Sequence, residues 1–277
     1  MSAKSGPERF VLFGHPVAHS WSPFIHGMFA RQFDHVVDYK VQDVAPENFR
    51  HAVINFFVEG GGGANVTLPH KPAAAEIVND LSARAERARA VNTIVRRSPT
   101  ELYGENTDGV GLVTDLVRNL GVALGGARLL ILGAGGATRG ILAPLLEQEP
   151  RGIHIANRTP ERAKRLREEF SDLGEITASG FSEVEDRPWD VVINATAASL
   201  AGEVPELPAR AVGRDSVCYD MAYGRGETTF MRWAAGRGSR RAYKGWGMLV
   251  EQAAESYLLW HGVRPETRPV MGALERL

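Results

Sequence analysis

Short apolar runs alternate with amphipathic stretches along most of the chain. Near the start, Phe10–Phe13 and Ala64–Thr67 have the apolar character of strands. Between them, Pro23–Gln32 has helical spacing, with Ser22 as its N-cap and a proline at its first position. The same pattern predicts strands at 36–41 and 91–95, and helices over 47–58, from Pro72 and near Ser82.

The pattern is sharper after residue 127. Arg128–Leu132 is a continuous apolar run of the kind that parallel sheets bury on both faces. A glycine cluster follows, and then come a helix over Thr138–Leu146, a strand over Ile153–Ala156 and a charged helix over Pro160–Phe170. Further strands are predicted at 190–193 and 217–219, and further helices at 111–119 and 248–260. This alternation predicts a doubly wound α/β domain.

The length of the chain, 277 residues, favours two domains over one enlarged core. The sequence therefore predicts the α/β class with two domains. One is an N-terminal α/β domain of residues 1–109, completed by 248–277. The other is a Rossmann-type doubly wound domain of residues 110–247, which the glycine-rich stretch Gly121–Gly126 introduces.

Composition narrows the range of partners. The chain has 32 basic and 33 acidic residues, so it has no global attraction for nucleic acid or anionic membranes, and any anionic ligand must be held by local groups. No segment approaches the ~20 apolar residues that span a bilayer. The single cysteine, Cys218, forms no intrachain disulfide and lies in an apolar stretch, which predicts its burial. The first residues, Met1–Arg9, are polar and lack the apolar region of a signal peptide, so a cytoplasmic, reduced compartment is expected.

A glycine-rich loop separates the strand at Arg128–Leu132 from the helix that follows. Glycines at such a junction permit a tight turn and let backbone N–H groups approach a pyrophosphate. A purely structural turn is the alternative, and Ala137 and Thr138 follow where a third glycine is common. The residues predicted to bind a dinucleotide here are Gly133, Ala134, Gly135, Gly136 and Ala137.

The end of the next strand indicates which dinucleotide is bound. An NAD enzyme has Asp or Glu there to accept from the ribose 2′-OH, whereas this chain has Asn157-Arg158-Thr159, with Arg162 one turn on. Guanidinium and hydroxyl groups bind a 2′-phosphate, which a carboxylate would repel. NADP is therefore favoured, the alternative being that Arg158 and Arg162 are solvated surface charges.

The N-terminal half contains polar motifs that a scaffold alone does not need. They are Gly14-His15-Pro16-Val17-Ala18-His19-Ser20-Trp21-Ser22-Pro23, Asn65-Val66-Thr67-Leu68-Pro69-His70-Lys71, Ala90-Val91-Asn92-Thr93 and Gly104-Glu105-Asn106-Thr107-Asp108-Gly109. Gly245-Trp246-Gly247-Met248-Leu249-Val250-Glu251-Gln252 follows near the C-terminus. In this order, and over nearly the whole chain, these motifs resemble those of the shikimate dehydrogenases.

The resemblance implies NADP-dependent reversible reduction of 3-dehydroshikimate to shikimate, in aromatic amino acid biosynthesis. It makes Lys71 and Asp108 the catalytic pair, which no spacing argument brings together. The implied substrate-binding residues are Ser20, Ser22, Asn65, Thr67, Asn92, Tyr223 and Gln252. The implied cofactor-binding residues are the glycine loop with Arg139, then Asn157, Arg158, Thr159, Arg162, Ala195, Thr196, Met221, Gly245 and Met248. The implied assembly is a monomer or homodimer.

Several of these residues have a simpler interpretation. Ser22 and Asp108 could only cap helices. Lys71 could be an exposed lysine before a helix, and Gln252 could face solvent from an amphipathic helix. No metal is predicted, because the N-terminal histidines match no common ligand spacing: His15, His19 and His26.

Two positions depart from the family pattern. Lys244 stands before Gly245 where the family usually has Asp, so a group that accepts hydrogen bonds is replaced by one that only donates. Ser199 stands where a glycine is usual, in a loop expected near the nicotinamide. Both departures leave open a paralogue of weak activity. Three further functions compete with the main prediction: a quinate/shikimate dehydrogenase of broader specificity, a non-catalytic sensor, and an enzyme that reduces amino analogues of shikimate.

Overall fold

The computed structural model describes residues 6–196, 198 and 202–276. The chain divides into two compact units. The first ends at Asp108 and resumes over Val250–Arg276, and the second comprises Gly109–Leu249. The sequence predicts the two breaks after residues 109 and 247.

The first unit is built on a six-stranded mixed sheet in the order β2-β1-β3-β5-β6-β4. β1 pairs in parallel with β2 and β3, whereas β5 is antiparallel to both β3 and β6. The strands are β1 (Glu8–Gly14), β2 (Val37–Asp43), β3 (Gly63–Val66), β4 (Asp80–Leu81), β5 (Thr93–Ser98) and β6 (Glu101–Glu105). The helices before the first break are α1 (Ser22–Gln32), α2 (Phe49–Val58), α3 (Lys71–Ala75) and α4 (Ala83–Ala88).

The second unit is a six-stranded sheet, parallel throughout, in the order β12-β11-β10-β7-β8-β9. This is the strand order of a Rossmann fold, and it confirms the predicted class. The strands are β7 (Arg128–Leu132), β8 (Gly152–Ala156), β9 (Ile176–Ser179), β10 (Val191–Asn194), β11 (Val217–Asp220) and β12 (Arg241–Lys244). The helices from Asp108 onward are α5 (Asp108–Thr114), α6 (Gly136–Leu146), α7 (Pro160–Phe170), α8 (Thr229–Gly236), α9 (Trp246–His261) and α10 (Arg268–Leu274).

Apolar cores on both faces of the second sheet explain why its strands are apolar without alternation. On β7, Leu129 and Ile131 enter one core, and Leu130 and Leu132 enter the other. The chain reverses its direction of winding between β7 and β10, which are neighbours in the sheet. In such sheets the ligand crevice lies beyond the carboxyl ends of the strands at this switch point.

The predicted N-cap of the first helix is wrong. α1 begins at Ser22 itself and Trp21 occupies the cap position, where no side chain caps the helix. The Ser22 side chain instead accepts a hydrogen bond from the Ser20 hydroxyl, at 3.1 Å. The helix therefore starts one residue earlier than the sequence predicts, and Ser22 is available for a role other than capping.

Cys218 is fully buried in the core between β10, β11 and α8. Burial raises the pKa of its thiol to about 12, because the apolar surroundings disfavour the thiolate. We expect iodoacetamide at about pH 8 to leave the native protein unmodified while alkylating the protein unfolded in guanidinium, where the thiol returns to its ordinary pKa. Mass spectrometry of the two samples measures this, and rapid alkylation of the native chain would contradict the burial of Cys218.

Candidate active site

Lys71 and Asp108 form an ion pair in the first unit, although 37 positions separate them. Lys71 opens α3 just after β3, and Asp108 opens α5 just after β6. The Lys71 ammonium lies 2.5 Å from Asp108 Oδ2, and the two side chains are 22% and 13% exposed. The pair is therefore largely shielded from water, yet still accessible to a small molecule.

The Asp108 carboxylate is fixed through its second oxygen as well. Asn92 Nδ2 donates to Asp108 Oδ1 at 2.8 Å, and the Asn106 side chain accepts from the Asp108 backbone N–H at 3.2 Å. Asn92 Nδ2 also donates to the Thr107 hydroxyl, and Asn92 Oδ1 accepts from the Thr107 N–H. The amide of Asn92 is therefore engaged in holding residues 107 and 108, and it orients Asp108 toward Lys71.

Asn65 lies on β3 with a side-chain amide that is constrained on both ends. Its Nδ2 donates to the Asn92 carbonyl, Thr93 Oγ1 and Ser256 Oγ, at 3.0–3.2 Å. Its Oδ1 accepts from the Tyr39 hydroxyl at 2.8 Å. Three acceptors share its two amide hydrogens, whereas Oδ1 retains a second lone pair. The Asn65 amide therefore has its donors engaged within the protein and keeps acceptor capacity on Oδ1.

Two polar residues one turn apart on α9 join this network. The Ser256 hydroxyl, fully buried, lies 2.7 Å from Thr93 Oγ1. Gln252 Oε1 accepts from Asn92 and from the Thr107 hydroxyl at 3.3 and 3.4 Å, so Gln252 faces the site and not the solvent. Tyr39 and Ser256 had not been predicted, because an isolated polar residue on a strand or helix leaves no motif in the sequence.

The loop that carries Ser20 and Ser22 is fixed by a carboxylate on β2. Asp43 accepts from His15 Nδ1 at 2.5 Å and from the Val17 N–H at 3.1 Å. The hydrogen bond from His15 lowers the pKa of Asp43 below its usual range. The Ser22 N–H and the Ser20 hydroxyl are also bonded, at 3.2 Å, which sets the two hydroxyls side by side.

Thr67 follows β3, and its side chain packs closely on the backbone at Gly14, the last residue of β1. A Cβ at Gly14 would lie 2.5 Å from Thr67 Cγ2, so β1 must end in glycine for Thr67 to fit. The Thr67 N–H donates to the Phe13 carbonyl at 2.9 Å. Thr67 is half-buried on the same segment as Lys71.

In the second unit, the glycine loop lies at the carboxyl end of β7. Gly133 has φ of +105°, and a Cβ there would lie 3.1 Å from the Ala195 carbonyl oxygen, so only glycine fits well. Gly135 and Gly136 are exposed, and a side chain on either would meet no protein atom within 4 Å. The fold itself does not require these two glycines, and they leave the N–H groups of the first turn of α6 open to an anion.

The departure at Thr138 has a structural explanation. Its side chain is fully buried, and its hydroxyl donates to the Gly133 carbonyl at 2.7 Å, which closes the turn from within. Asn157 secures the loop from β8, since its Oδ1 accepts from the Ala134 N–H at 3.1 Å and its Nδ2 donates to the Thr159 carbonyl at 2.8 Å. Ala137, on the first turn of α6, is exposed.

The arginines predicted to bind the cofactor fall into two groups. Arg139 on α6 is paired with Glu169 on α7 at 2.5 Å, so its guanidinium is already engaged within the protein. Arg158 and Thr159 follow β8, Arg162 lies on the first turn of α7, and all three are exposed. Among the residues that the structure describes, neither arginine has an ion-pair partner. These two cations are therefore free to meet a phosphate.

The remaining predicted cofactor residues lie beyond the carboxyl ends of β10, β11 and β12. The Asn194 side chain holds the Thr196 N–H and hydroxyl, next to Ala195. A Cβ at Gly245 would lie 2.5 Å from the Met221 carbonyl oxygen, so glycine is required there. Met248 is buried in the core with its N–H on the Tyr219 hydroxyl, whereas Tyr223 is 39% exposed. Ser199 lies outside the described residues.

The described part of the chain holds no cluster of three or more His, Cys, Asp and Glu side chains that could bind a metal ion. His26 is buried and stacks on Tyr39 with 4.4 Å between ring centroids. Burial lowers the pKa of His26 to about 3, so its imidazole is neutral at physiological pH.

In the part of the chain that the structure describes, every helix is too short or too polar to cross a bilayer.

Family models match three segments of the chain. They are the shikimate dehydrogenase substrate binding domain at residues 12–94, shikimate/quinate 5-dehydrogenase at 115–214, and the shikimate 5′-dehydrogenase C-terminal domain at 245–275. The chain is 51% identical over 269 residues to a shikimate dehydrogenase (NADP(+)) of Methylococcus capsulatus, which covers 97% of this chain and 96% of that protein.

Two solved structures share the fold over nearly the full length. An Ael1 enzyme from Pseudomonas putida is 41% identical with a TM-score of 0.91, covering 96% of this chain and 98% of that one. A shikimate 5-dehydrogenase from Thermus thermophilus, in complex with NADP(H) and shikimate, is 31% identical with a TM-score of 0.87, covering 97% and 99%.

Proposed function

The chain belongs to the shikimate dehydrogenase family, and on that premise we propose that it reduces 3-dehydroshikimate reversibly to shikimate with NADPH, using Lys71 and Asp108 as its catalytic pair. The observation that carries the proposal is the ion pair of these two side chains, 2.5 Å apart and largely shielded from water. A positioned cation is what a ketone reduction needs, since negative charge develops on the carbonyl oxygen.

The residues of the second unit fit NADP. The pyrophosphate would meet the N–H groups at Gly135 and Gly136, and the 2′-phosphate would meet Arg158, Thr159 and Arg162. The end of β8 has no carboxylate of the kind that binds the ribose 2′-OH of NAD. When bound, the reduced cofactor supplies the hydride. We therefore assign the second unit as the NADP domain and the first as the substrate domain.

The chain's own residues supply the remaining chemistry. The Lys71 ammonium stabilises the developing alkoxide and donates a proton to it. Asp108, fixed by Asn92, orients Lys71 and balances its charge. Ser20 and Ser22 offer adjacent hydroxyls to the substrate carboxylate. Asn65, Thr67, Asn92 and Gln252 contact the ring hydroxyls, with Asn65 accepting.

We also propose that the enzyme is cytoplasmic, because Cys218 is its single cysteine, is buried, and has no second cysteine with which to form a disulfide. It acts as a monomer or homodimer. Tyr223 lies near the substrate carboxylate. The cofactor contacts of the second unit include Met221, Gly245 and Met248, beyond the glycine loop. Ala195 and Thr196, which follow β10 at the switch point, belong to the same set.

A four-way assay tests this function. Purified protein is incubated with shikimate or quinate, each with NADP or NAD, and the absorbance of the reduced nicotinamide is followed. We expect the highest kcat/KM with shikimate and NADP. A preference for quinate or NAD would make the chain a quinate/shikimate dehydrogenase of broader specificity. Binding of NADP with no turnover of either acid would overturn the enzyme assignment.

A further inference from the structure

The loop Met221–Gly226 follows β11 and carries two residues assigned above to ligand binding, Met221 and Tyr223. Its first residues are held by backbone contacts: the Met221 N–H donates to the Asn194 carbonyl and the Gly245 N–H donates to the Ala222 carbonyl, both at 3.0 Å. Beyond Ala222, in the described chain, no backbone–backbone hydrogen bond fixes residues 224–226. The far half of the loop therefore depends on side chains.

Lys244 supplies the donors for that far half. It ends β12, and its ammonium donates to the Gly224 carbonyl at 3.0 Å and to the Gly226 carbonyl at 2.8 Å. These two carbonyls flank Arg225, which is exposed. A carboxylate in place of Lys244 could not make either bond, because a carbonyl oxygen only accepts.

The two residues after Lys244 also contact the loop Met221–Gly226. Gly245 bonds the Ala222 carbonyl, and the Trp246 ring lies 4.9 Å from the Tyr223 ring, between centroids. Tyr223 thus packs against Trp246, and the loop residues that follow it are bonded to Lys244. The conformation that presents the Tyr223 side chain depends on three consecutive residues of one segment.

We propose that Lys244 is a positioning residue for catalysis by this chain: it fastens the loop Met221–Gly226 so that Tyr223 is presented to the substrate. The inference rests on the proposed function, because it takes the role of Tyr223 from there. The departure from the family's usual Asp is then a different way of fixing this loop, and not a loss of activity.

The kinetic test compares Lys244→Met, Lys244→Arg and Lys40→Met with the unmodified protein. Methionine keeps the unbranched apolar stem of the side chain and removes its donors. We expect Lys244→Met to raise KM for shikimate about tenfold and to change kcat little, since a positioning contact is lost and the catalytic pair is intact. Arginine retains N–H donors and should restore most of the affinity. Lys40, exposed on the edge strand β2, is the matched control and should change nothing.

Limited trypsin digestion measures directly how well the loop is held in place. The Arg225–Gly226 bond lies between the two carbonyls that Lys244 holds, so we expect Lys244→Met to speed its cleavage about tenfold relative to Lys40→Met, as followed by fragment masses. A melting temperature close to that of the unmodified protein would separate local release of the loop from general unfolding. A merely structural role for Lys244 would move that temperature and leave KM unchanged.

The outcomes are separable from those of the proposed function. If the unmodified protein turns over shikimate but Lys244→Met has the same KM or the same cleavage rate, the positioning role is wrong. If the unmodified protein shows no turnover, the proposed function fails. Calorimetric binding of shikimate with NADP present then replaces KM, and the inference stands only if Lys244→Met binds more weakly while the loop is cleaved faster.

Discussion

Replacing Lys71 with methionine is expected to lower kcat by about a thousandfold and to leave NADP affinity nearly unchanged. The Lys71 ammonium is the cation beside Asp108 in the first unit, so methionine removes both the charge that stabilises the alkoxide and the proton donor. Methionine keeps the length and the apolar stem of the side chain, which limits the structural cost. Steady-state kinetics with shikimate and NADP, and NADP titration by fluorescence, measure the two quantities.

The matched control is Lys40→Met, which makes the same substitution at an exposed lysine on the edge strand β2. It should keep the full kcat. A companion variant, Asp108→Asn, keeps an oxygen that accepts from Asn92 Nδ2 but removes the negative charge that balances Lys71. It should therefore also lower kcat. Retention of more than about a tenth of kcat in Lys71→Met would remove Lys71 from the chemical step, because proton transfer alone contributes at least a hundredfold.

The apolar runs of the Rossmann half made its central elements predictable. Arg128–Leu132 and Pro160–Phe170 have the same bounds in the structure as in the sequence analysis, since one is buried on both faces and the other starts at a helix-initiating proline. The edge strands β9 and β12 were not predicted. Each is only four residues long, and Ile176 is the one large apolar side chain among them that is buried, so neither has the run of apolar residues that predicts a strand.

Contacts between distant side chains in the candidate site were beyond sequence reasoning. The motifs identified Lys71 and Asp108, but only the meeting of the chain at the ends of β3 and β6 brings them together. The resemblance to the family implies that Arg139 binds the cofactor. The structure pairs it with Glu169, a contact that depends on how α6 packs against α7 and that has no local signature.

The contacts of Tyr39 and Ser256 could not be predicted for the same reason. Their hydroxyls fix the amide of Asn65 from a neighbouring strand and from α9, respectively. Such second contacts decide which end of an amide is presented to a ligand, although the amide itself is visible in a motif. The sequence therefore identified candidate residues, while the hydrogen-bond direction at each of them came from the tertiary structure.

Replacing both Arg158 and Arg162 with alanine is expected to raise KM for NADP about a hundredfold and to change KM for NAD little. Arg158 follows β8 and Arg162 lies on the first turn of α7; both are exposed and, within the described residues, without ion-pair partners, so they can meet a phosphate. Loss of two charge-assisted contacts costs about 3 kcal/mol, which corresponds to that change in affinity. Because NAD has no 2′-phosphate, its binding does not depend on these contacts.

The control for this pair is Arg151→Ala, which removes an exposed arginine at the opposite end of the same strand, before β8 rather than after it. It should leave both KM values unchanged, although it alters the net charge of the unit by one. Arg139→Ala provides a second comparison, since its partner Glu169 makes it a structural cation: we expect a lower melting temperature and unchanged cofactor preference. If the double variant kept its preference for NADP while Arg139→Ala lost it, the 2′-phosphate would be bound from α6, and the predicted role of the β8 end would be wrong.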